Sequence, residues 1–152
     1  MDAKAYIRRE TAVSTAINVV LSGAFFLVVF GLHGPVPVWS AGGYVFDFGP
    51  QGFMIGLMAT LVPGLLARKA RASGKVRQMD GTSPLPAAIA VRAILCGTVG
   101  ATAGMGGSAV LLWASGAAQL DWLIALLIKL LFGAVLAIIV TPAGLRAELI
   151  KR

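Results

Sequence analysis

Four long apolar segments, separated by polar or turn-rich stretches, dominate the pattern along the chain. They lie at about 11–32, 48–67, 88–114 and 122–145, and only Arg92 and Lys129 place a charge inside them. An α-helix needs about 20 residues, at about 1.5 Å per residue, to cross roughly 30 Å of hydrocarbon. Because backbone groups in lipid must be satisfied within the segment, the pattern predicts four transmembrane helices rather than barrel strands.

The connections between the segments differ in charge, and this difference predicts their orientation. The outer loop 33–47 and the connection 115–121 carry no Lys or Arg, whereas the inner loop 68–87 carries five, and both termini are basic. Lys and Arg collect in cytoplasmic loops, so we expect both termini inside, in the inner membrane of a bacterium. The predicted fold class is therefore an all-α membrane protein, with 1–152 as one integral membrane domain.

The second and fourth segments end alike, in "ATLVPGLLARK" and "AIIVTPAGLRAELIK", where a proline precedes a basic helix end. This similarity allows two parallel helical hairpins, related by an axis along the membrane normal. Through Pro63-Arg68-Lys69 and Pro142-Arg146, both segments resemble the second helix of a family of small bacterial hairpin membrane proteins of unknown function. Because that family has no established activity, the resemblance implies a helical hairpin for each half and no functional residue.

Composition agrees with a membrane protein and limits the function classes. Hydrophobic residues make up 58% of the chain and charged residues 12%, against roughly 25% charged in soluble domains. The net charge of +7 lies in the inner segments, without a basic face interleaved with aromatic residues, so we expect no nucleic-acid partner. The lone Cys96 and His33 do not have metal-ligand spacing, so we expect no metal, no cofactor and a buried structural thiol.

The third segment carries a stripe of small residues at steps of three and four, namely Gly97, Gly100, Gly104, Gly107 and Ser108. Such spacing places them on one helix face, where small side chains let two membrane helices approach closely. A phosphate-binding loop is excluded because no lysine follows the glycines. We predict a helix-packing face, within the bundle or between subunits, and the alternative is a local break at Gly106-Gly107.

Polar residues inside the apolar segments are the candidates for a solute site. Ser14, Asn18 and Ser22 share one face of the first segment at steps of four, which predicts either a helix contact or a pore lining. Lys129 lies about 10 Å deep by helical rise, and the lean of helical side chains favours an ammonium that extends outward to the interface. The alternative for Lys129 is an anion site or an ion pair with Asp47.

Two local predictions concern the ends of the segments. Arg92, near the inner start of the third segment, is predicted to extend its guanidinium to the cytoplasmic interface. The outer-loop sequence "VPVWSAGGYVFDF" predicts a small hairpin across Gly42-Gly43.

Neither a catalytic triad nor a buried carboxylate pair is recognisable, so we expect that the protein is not an enzyme. One function class is an accessory or self-associating component, with the bilayer and a homo-oligomer or larger membrane complex as partners. The alternative is a minimal transporter or channel for a small, including anionic, solute at Ser14, Asn18, Asp47 and Lys129. A water-accessible cavity lined by these residues distinguishes the second class from a dry bundle whose polar groups are satisfied locally.

Overall fold

The computed structural model describes residues 1–150, in which four long helices are joined by short connections. They are α1 (Ala3–Phe30), α2 (Tyr44–Ala72), α3 (Ile89–Ser115) and α4 (Trp122–Leu149). Each helix is long and apolar enough to cross a membrane, which fits a multi-pass helical protein. The helices extend past the predicted apolar segments because polar stretches such as 3–10 and 68–72 continue the helical hydrogen bonding.

The helix ends have local causes. Asp2 and Asp121 precede α1 and α4. The Asp2 carboxylate accepts one hydrogen bond from a backbone N–H of the first turn, and the Asp121 carboxylate accepts two. Gly116 ends α3 in the left-handed conformation, with φ of 67°, which glycine adopts without strain. Pro50 and Pro63 lie inside α2, and Pro142 lies inside α4, without ending either helix.

The predicted hairpin across Gly42-Gly43 does not form. Instead, β1 (Val36–Pro37) pairs antiparallel with β2 (Gln119–Leu120), which lies between α3 and α4. The second arm of that hairpin is absent because the chain is already helical from Tyr44 onward. The two-stranded pairing therefore ties the two outer connections to each other.

The helices pack in the order α1–α4–α2–α3, so α1 touches α2, and α3 touches α4, only slightly, whereas α2 and α3 pack closely. Successive contacts show the helix directions. Ser14 lies against Thr141 and Ser22 against Gly133, so α1 runs antiparallel to α4. Likewise α3 runs antiparallel to α2, because Gly52 lies against Gly100 and Gly56 against Cys96. At the centre, α2 and α4 run in the same direction, joined by ion pairs at both ends. Each half of the chain thus packs its first helix on the second helix of the other half, unlike two hairpins that each pack on themselves.

The two ends of the bundle have separate apolar clusters. At one end, which we call the basic end, the start of α1 and the end of α4 pack against Ala67 and Val76. At the other, which we call the strand end, Phe26 and Tyr44 pack around Val36 of β1. Both described chain ends and the connection 73–88 therefore lie at the basic end.

Candidate functional site

The glycine stripe of α3 packs directly on the backbone of α2. Gly97, Gly100 and Gly104 are buried. A methyl group added to Gly97 would lie 2.9 Å from the carbonyl oxygen of Phe53, and one added to Gly52 would lie 2.6 Å from the carbonyl carbon of Gly100. These distances are too short for a side chain, so glycines on both helices are what allow this crossing.

The last two residues of the predicted stripe do not share this contact. Gly107 is exposed, and a methyl group added to it would meet open space. Ser108 is half-buried, and its hydroxyl donates to the carbonyl oxygen of Met105 at 3.1 Å. The stripe leaves the interface because Gly104 already lies against Phe48, close to where α2 begins. The helix is continuous through all its glycines, so the alternative of a local break does not occur.

The polar face of α1 packs on α4. Ser14, Asn18 and Ser22 are all buried. Ser14 Oγ accepts a hydrogen bond from Thr141 Oγ1 at 2.9 Å, and Asn18 Nδ2 donates to the carbonyl oxygen of Ser14 at 2.8 Å. Ser22 lies against Gly133, where a methyl group would be 3.3 Å from the Ser22 Cβ. Small residues of α4 thus admit the polar side chains of α1.

Lys129 forms an ion pair inside the bundle. Its side chain is fully buried, and Nζ lies 2.7 Å from Asp47 Oδ2. The ammonium also lies 3.7 Å from the centre of the Phe48 ring and 4.9 Å from that of Tyr44, so the aromatic faces help to stabilise it. The interpretation that Lys129 extends outward to the interface is therefore wrong for this structure. The reason is that α2 offers a carboxylate and two rings within reach.

Further hydrogen bonds from α2 complete the network. The Tyr44 hydroxyl donates to the carbonyl oxygen of Ala125 at 2.6 Å. Gln51 Nε2 donates to Ser22 Oγ at 2.9 Å and to the carbonyl oxygen of Lys129 at 3.3 Å. Gln51 Oε1, in contrast, is buried and has no hydrogen-bond partner among residues 1–150. The network therefore contains one unpaired acceptor within the described residues.

A cavity of about 170 Å³ lies beside this network, between α1 and α2. Its polar lining consists of Asn18, Ser22, Asp47 and Gln51. Its apolar lining consists of Leu21, Phe25, Pro50, Met54, Ile55 and Met58. The cavity therefore has one polar side within a mainly apolar wall, as pockets for small molecules commonly do.

The predicted solute-site residues divide into two groups around this cavity. Asn18 and Asp47 line it, whereas Ser14 and Lys129 lie behind it and each bonds to one of the lining residues. The sequence prediction did not include Gln51. A usable signal was present, because Gln51 follows Asp47 by four residues and so shares its helix face.

A second charged cluster, at the basic end, joins three arginines to one carboxylate. Arg92 is fully buried, and its Nη2 lies 2.8 Å from Glu148 Oε2. Arg68 Nε lies 2.9 Å from the other carboxylate oxygen, and Arg71 Nη1 donates to the Glu148 carbonyl oxygen at 2.8 Å. The guanidinium of Arg92 also donates to the carbonyl oxygen of Pro86 at 3.0 Å, so it extends toward the basic end, but Glu148 binds it buried and not exposed there.

The structure offers no His, Cys, Asp and Glu grouping within residues 1–150 that could hold a metal ion. Comparisons with protein-family models, with curated proteins and with solved structures find no match for this chain. The resemblance of two segments to small hairpin membrane proteins therefore stays a prediction.

Proposed function

We propose that the protein is a non-enzymatic, minimal transporter that binds a small neutral solute in the cavity between α1 and α2. The observation that carries this proposal is Gln51, a residue of the cavity lining whose buried Oε1 has no hydrogen-bond partner among residues 1–150. Leaving such a group unpaired costs about 1–3 kcal/mol, which a solute with a hydrogen-bond donor would recover. The solute is therefore expected to carry an N–H or O–H group.

The size and charge of the site narrow the solute class. The volume of about 170 Å³ is close to that of cavities of about 150 Å³ that bind benzene, so we expect roughly six to eight non-hydrogen atoms. Lys129 is paired with Asp47 and does not line the cavity, which favours a neutral solute over an anion. Exposed apolar side chains at the cavity, including Phe25 and Met54, suit entry from the lipid.

The proposed location is the inner membrane of a bacterium, with the basic end in the cytoplasm. Lys and Arg are concentrated in the termini and in 68–77, as cytoplasmic segments of inner-membrane proteins are. Reporter tags at both termini should then give cytoplasmic signals, and Ser40→Cys should react with an impermeant thiol reagent from outside. A periplasmic signal from either terminus would contradict this orientation.

Binding is tested with three probes of similar size: phenol, benzene and benzoate. The purified protein in nanodiscs should bind phenol more tightly than benzene, and benzoate least, in ligand-observed NMR. Gln51→Met should weaken the binding of phenol and leave the binding of benzene nearly unchanged, because only phenol has a hydrogen-bond donor for the amide oxygen. Equal weakening of both probes would contradict the assigned role of Gln51.

A cavity-filling pair of variants controls for binding elsewhere. Met58→Phe adds volume at the cavity wall and should abolish binding of phenol and benzene. Met105→Phe makes the same change on α3, away from the cavity, and should leave binding intact. Unchanged phenol binding in Met58→Phe would place the solute elsewhere and overturn the proposal.

A second candidate function, an accessory or self-associating component, is favoured by the edge position of α3. This helix packs mainly on α2, and its outward face exposes the small residues Thr98, Thr102, Ala103, Gly106 and Gly107. Helices in membranes associate through such faces, and a second copy of this chain is the occupant that we propose. Light scattering in mild detergent should then give a dimer that Gly106→Leu converts to a monomer. A monomeric wild-type protein would contradict self-association.

A further inference from the structure

A larger groove lies in the basic half of the bundle, separate from the solute cavity. It has a volume of about 1390 Å³ and runs along α1 and α4, beside the connection 79–85. Three cationic side chains line it: Lys4, Arg8 and Arg146. Its floor away from these charges is apolar or small, with Ala12, Ala16, Ile138, Pro142 and Ala143. The groove is therefore amphipathic along its length.

The charges at the basic end of the groove are not balanced. Lys4, Arg8 and Arg146 are exposed, and none of them forms an ion pair within the described chain. Asp80 is the one acidic residue in the lining, which leaves two positive charges in excess (three minus one). Thr11 also lines the groove, and its buried hydroxyl oxygen has no hydrogen-bond partner in residues 1–150. Two excess charges and a spare hydroxyl donor suit a phosphate group.

The length of the groove matches one leaflet of a bilayer. From Lys4 to Ala16, α1 rises through twelve residues, or about 18 Å at 1.5 Å per residue. Half of a hydrocarbon core is about 15 Å thick. With Lys4 at the level of the headgroups, Ala16 lies near the middle of the bilayer. The cationic part of the groove would thus lie at the depth of a lipid headgroup, and the apolar part at the depth of the acyl chains.

We propose that this groove binds one anionic phospholipid of the leaflet at the basic end. Arg8 and Arg146 receive the phosphate, the Thr11 hydroxyl donates to one of its oxygens, and the acyl chains lie along Ala16 and Pro142. Free phosphate would use the charges alone. A zwitterionic phospholipid offers the same phosphate and chains, but its headgroup also brings a cation, which the excess positive charge of the groove repels. Only an anionic phospholipid uses both parts of the groove without that repulsion.

The charge part is tested by native mass spectrometry of protein purified with equal amounts of phosphatidylglycerol and phosphatidylcholine. The wild type should retain one phosphatidylglycerol in preference to phosphatidylcholine. Arg8→Gln/Arg146→Gln should weaken this binding about 25-fold, since each cation contributes about 1 kcal/mol near an anionic headgroup. Arg9→Gln, an exposed arginine that does not line the groove, should change it little. Equal retention of both lipids, or an equal effect of Arg9→Gln, would overturn the proposal.

The apolar part separates a lipid from free phosphate. Ala16→Phe fills the floor without changing charge and should lower lipid retention, whereas Ala24→Phe, on the same helix outside the groove, should not. Millimolar inorganic phosphate should not displace the lipid. If phosphate displaces the lipid and Ala16→Phe does not change lipid retention, the site binds free phosphate, and the proposal of a lipid site is overturned. Ala16→Phe keeps the test decisive even if the double-arginine variant does not fold.

Discussion

The two contacts that flank the central pair of helices use small residues in different ways. Where α3 crosses α2, glycines bring the backbones together, so that a methyl group on Gly100 would lie 3.2 Å from the carbonyl carbon of Gly52. Where α1 packs on α4, hydroxyl and amide groups at Ser14, Asn18 and Ser22 need partners and take up space. The cavity opens on this second side, where α1 and α2 touch only slightly.

The difference shows how spacing and side-chain chemistry act separately. Both faces repeat at steps of three or four residues, so helical periodicity alone does not distinguish them. Within lipid the hydrophobic effect contributes little to contacts between helices, so dispersion and hydrogen bonds decide which helices associate. We therefore expect the glycine contact to contribute more to stability and the polar contact to contribute to binding.

The largest expected effect is on the glycine contact. Gly100→Leu would force a side chain into the backbone of Gly52 and should destabilise the bundle by about 3 kcal/mol. Gly107→Leu, on the same helix but facing open space, is the control and should be nearly silent. Unfolding in SDS followed by circular dichroism measures both. Similar losses in the two variants would remove the distinction between the packed and the open part of α3.

A smaller effect is expected on the polar side, at the ion pair. Lys129→Met leaves Asp47 unpaired and should cost about 2 kcal/mol, less than in water-soluble cores because helices unfolded within lipid also find partners. Asp47→Asn should cost a comparable amount, and the double variant less than the sum. Lys75→Met, at an exposed residue, is the control. Additive losses in the double variant would show that the two side chains do not interact.

The smallest effect should come from a single hydrogen bond between α1 and α4. Thr141→Val removes the donor to Ser14 Oγ and keeps the side-chain shape, with an expected loss of about 0.6 kcal/mol. Thr98→Val, whose exposed hydroxyl bonds only within α3, should not destabilise the bundle. A loss of stability in Thr141→Val as large as that in Gly100→Leu would contradict the expectation that the glycine contact contributes more to stability than the polar contact.

The four long apolar helices could be predicted from sequence because apolar length is a local property. Their lateral order could not, since it depends on which faces fit: α3 packs on α2, whereas α4 packs on both α1 and α2. Lys129 was misjudged for a related reason. The tilt of side chains along α4 favours a Lys129 ammonium at the interface, but Asp47 and two aromatic rings of α2 lie closer to it and bind it.

The candidate site was predictable only in part. Ser14, Asn18 and Ser22 repeat on one face, so their common burial follows from helical spacing. The cavity itself depends on how far α1 stands from α2, which no local pattern encodes. Gln51 matters because its Oε1 has no hydrogen-bond partner in the part of the chain that the structure describes. Whether a side-chain atom is paired can be seen only when every neighbouring helix is in place.

The reactivity of two cysteine thiols, one in the contact between α2 and α3 and one in the cavity lining, tests most directly whether the cavity is accessible. The chain contains one cysteine, Cys96, which is buried where α3 meets Gly56 of α2. Met54→Cys would add a thiol to the cavity lining at a position where the side chain is exposed. In the folded protein, a small membrane-permeant thiosulfonate should modify that thiol several times faster than Cys96, and phenol should slow the reaction. Equal rates at the two thiols, or a faster reaction at Cys96, would contradict an open cavity beside Gln51.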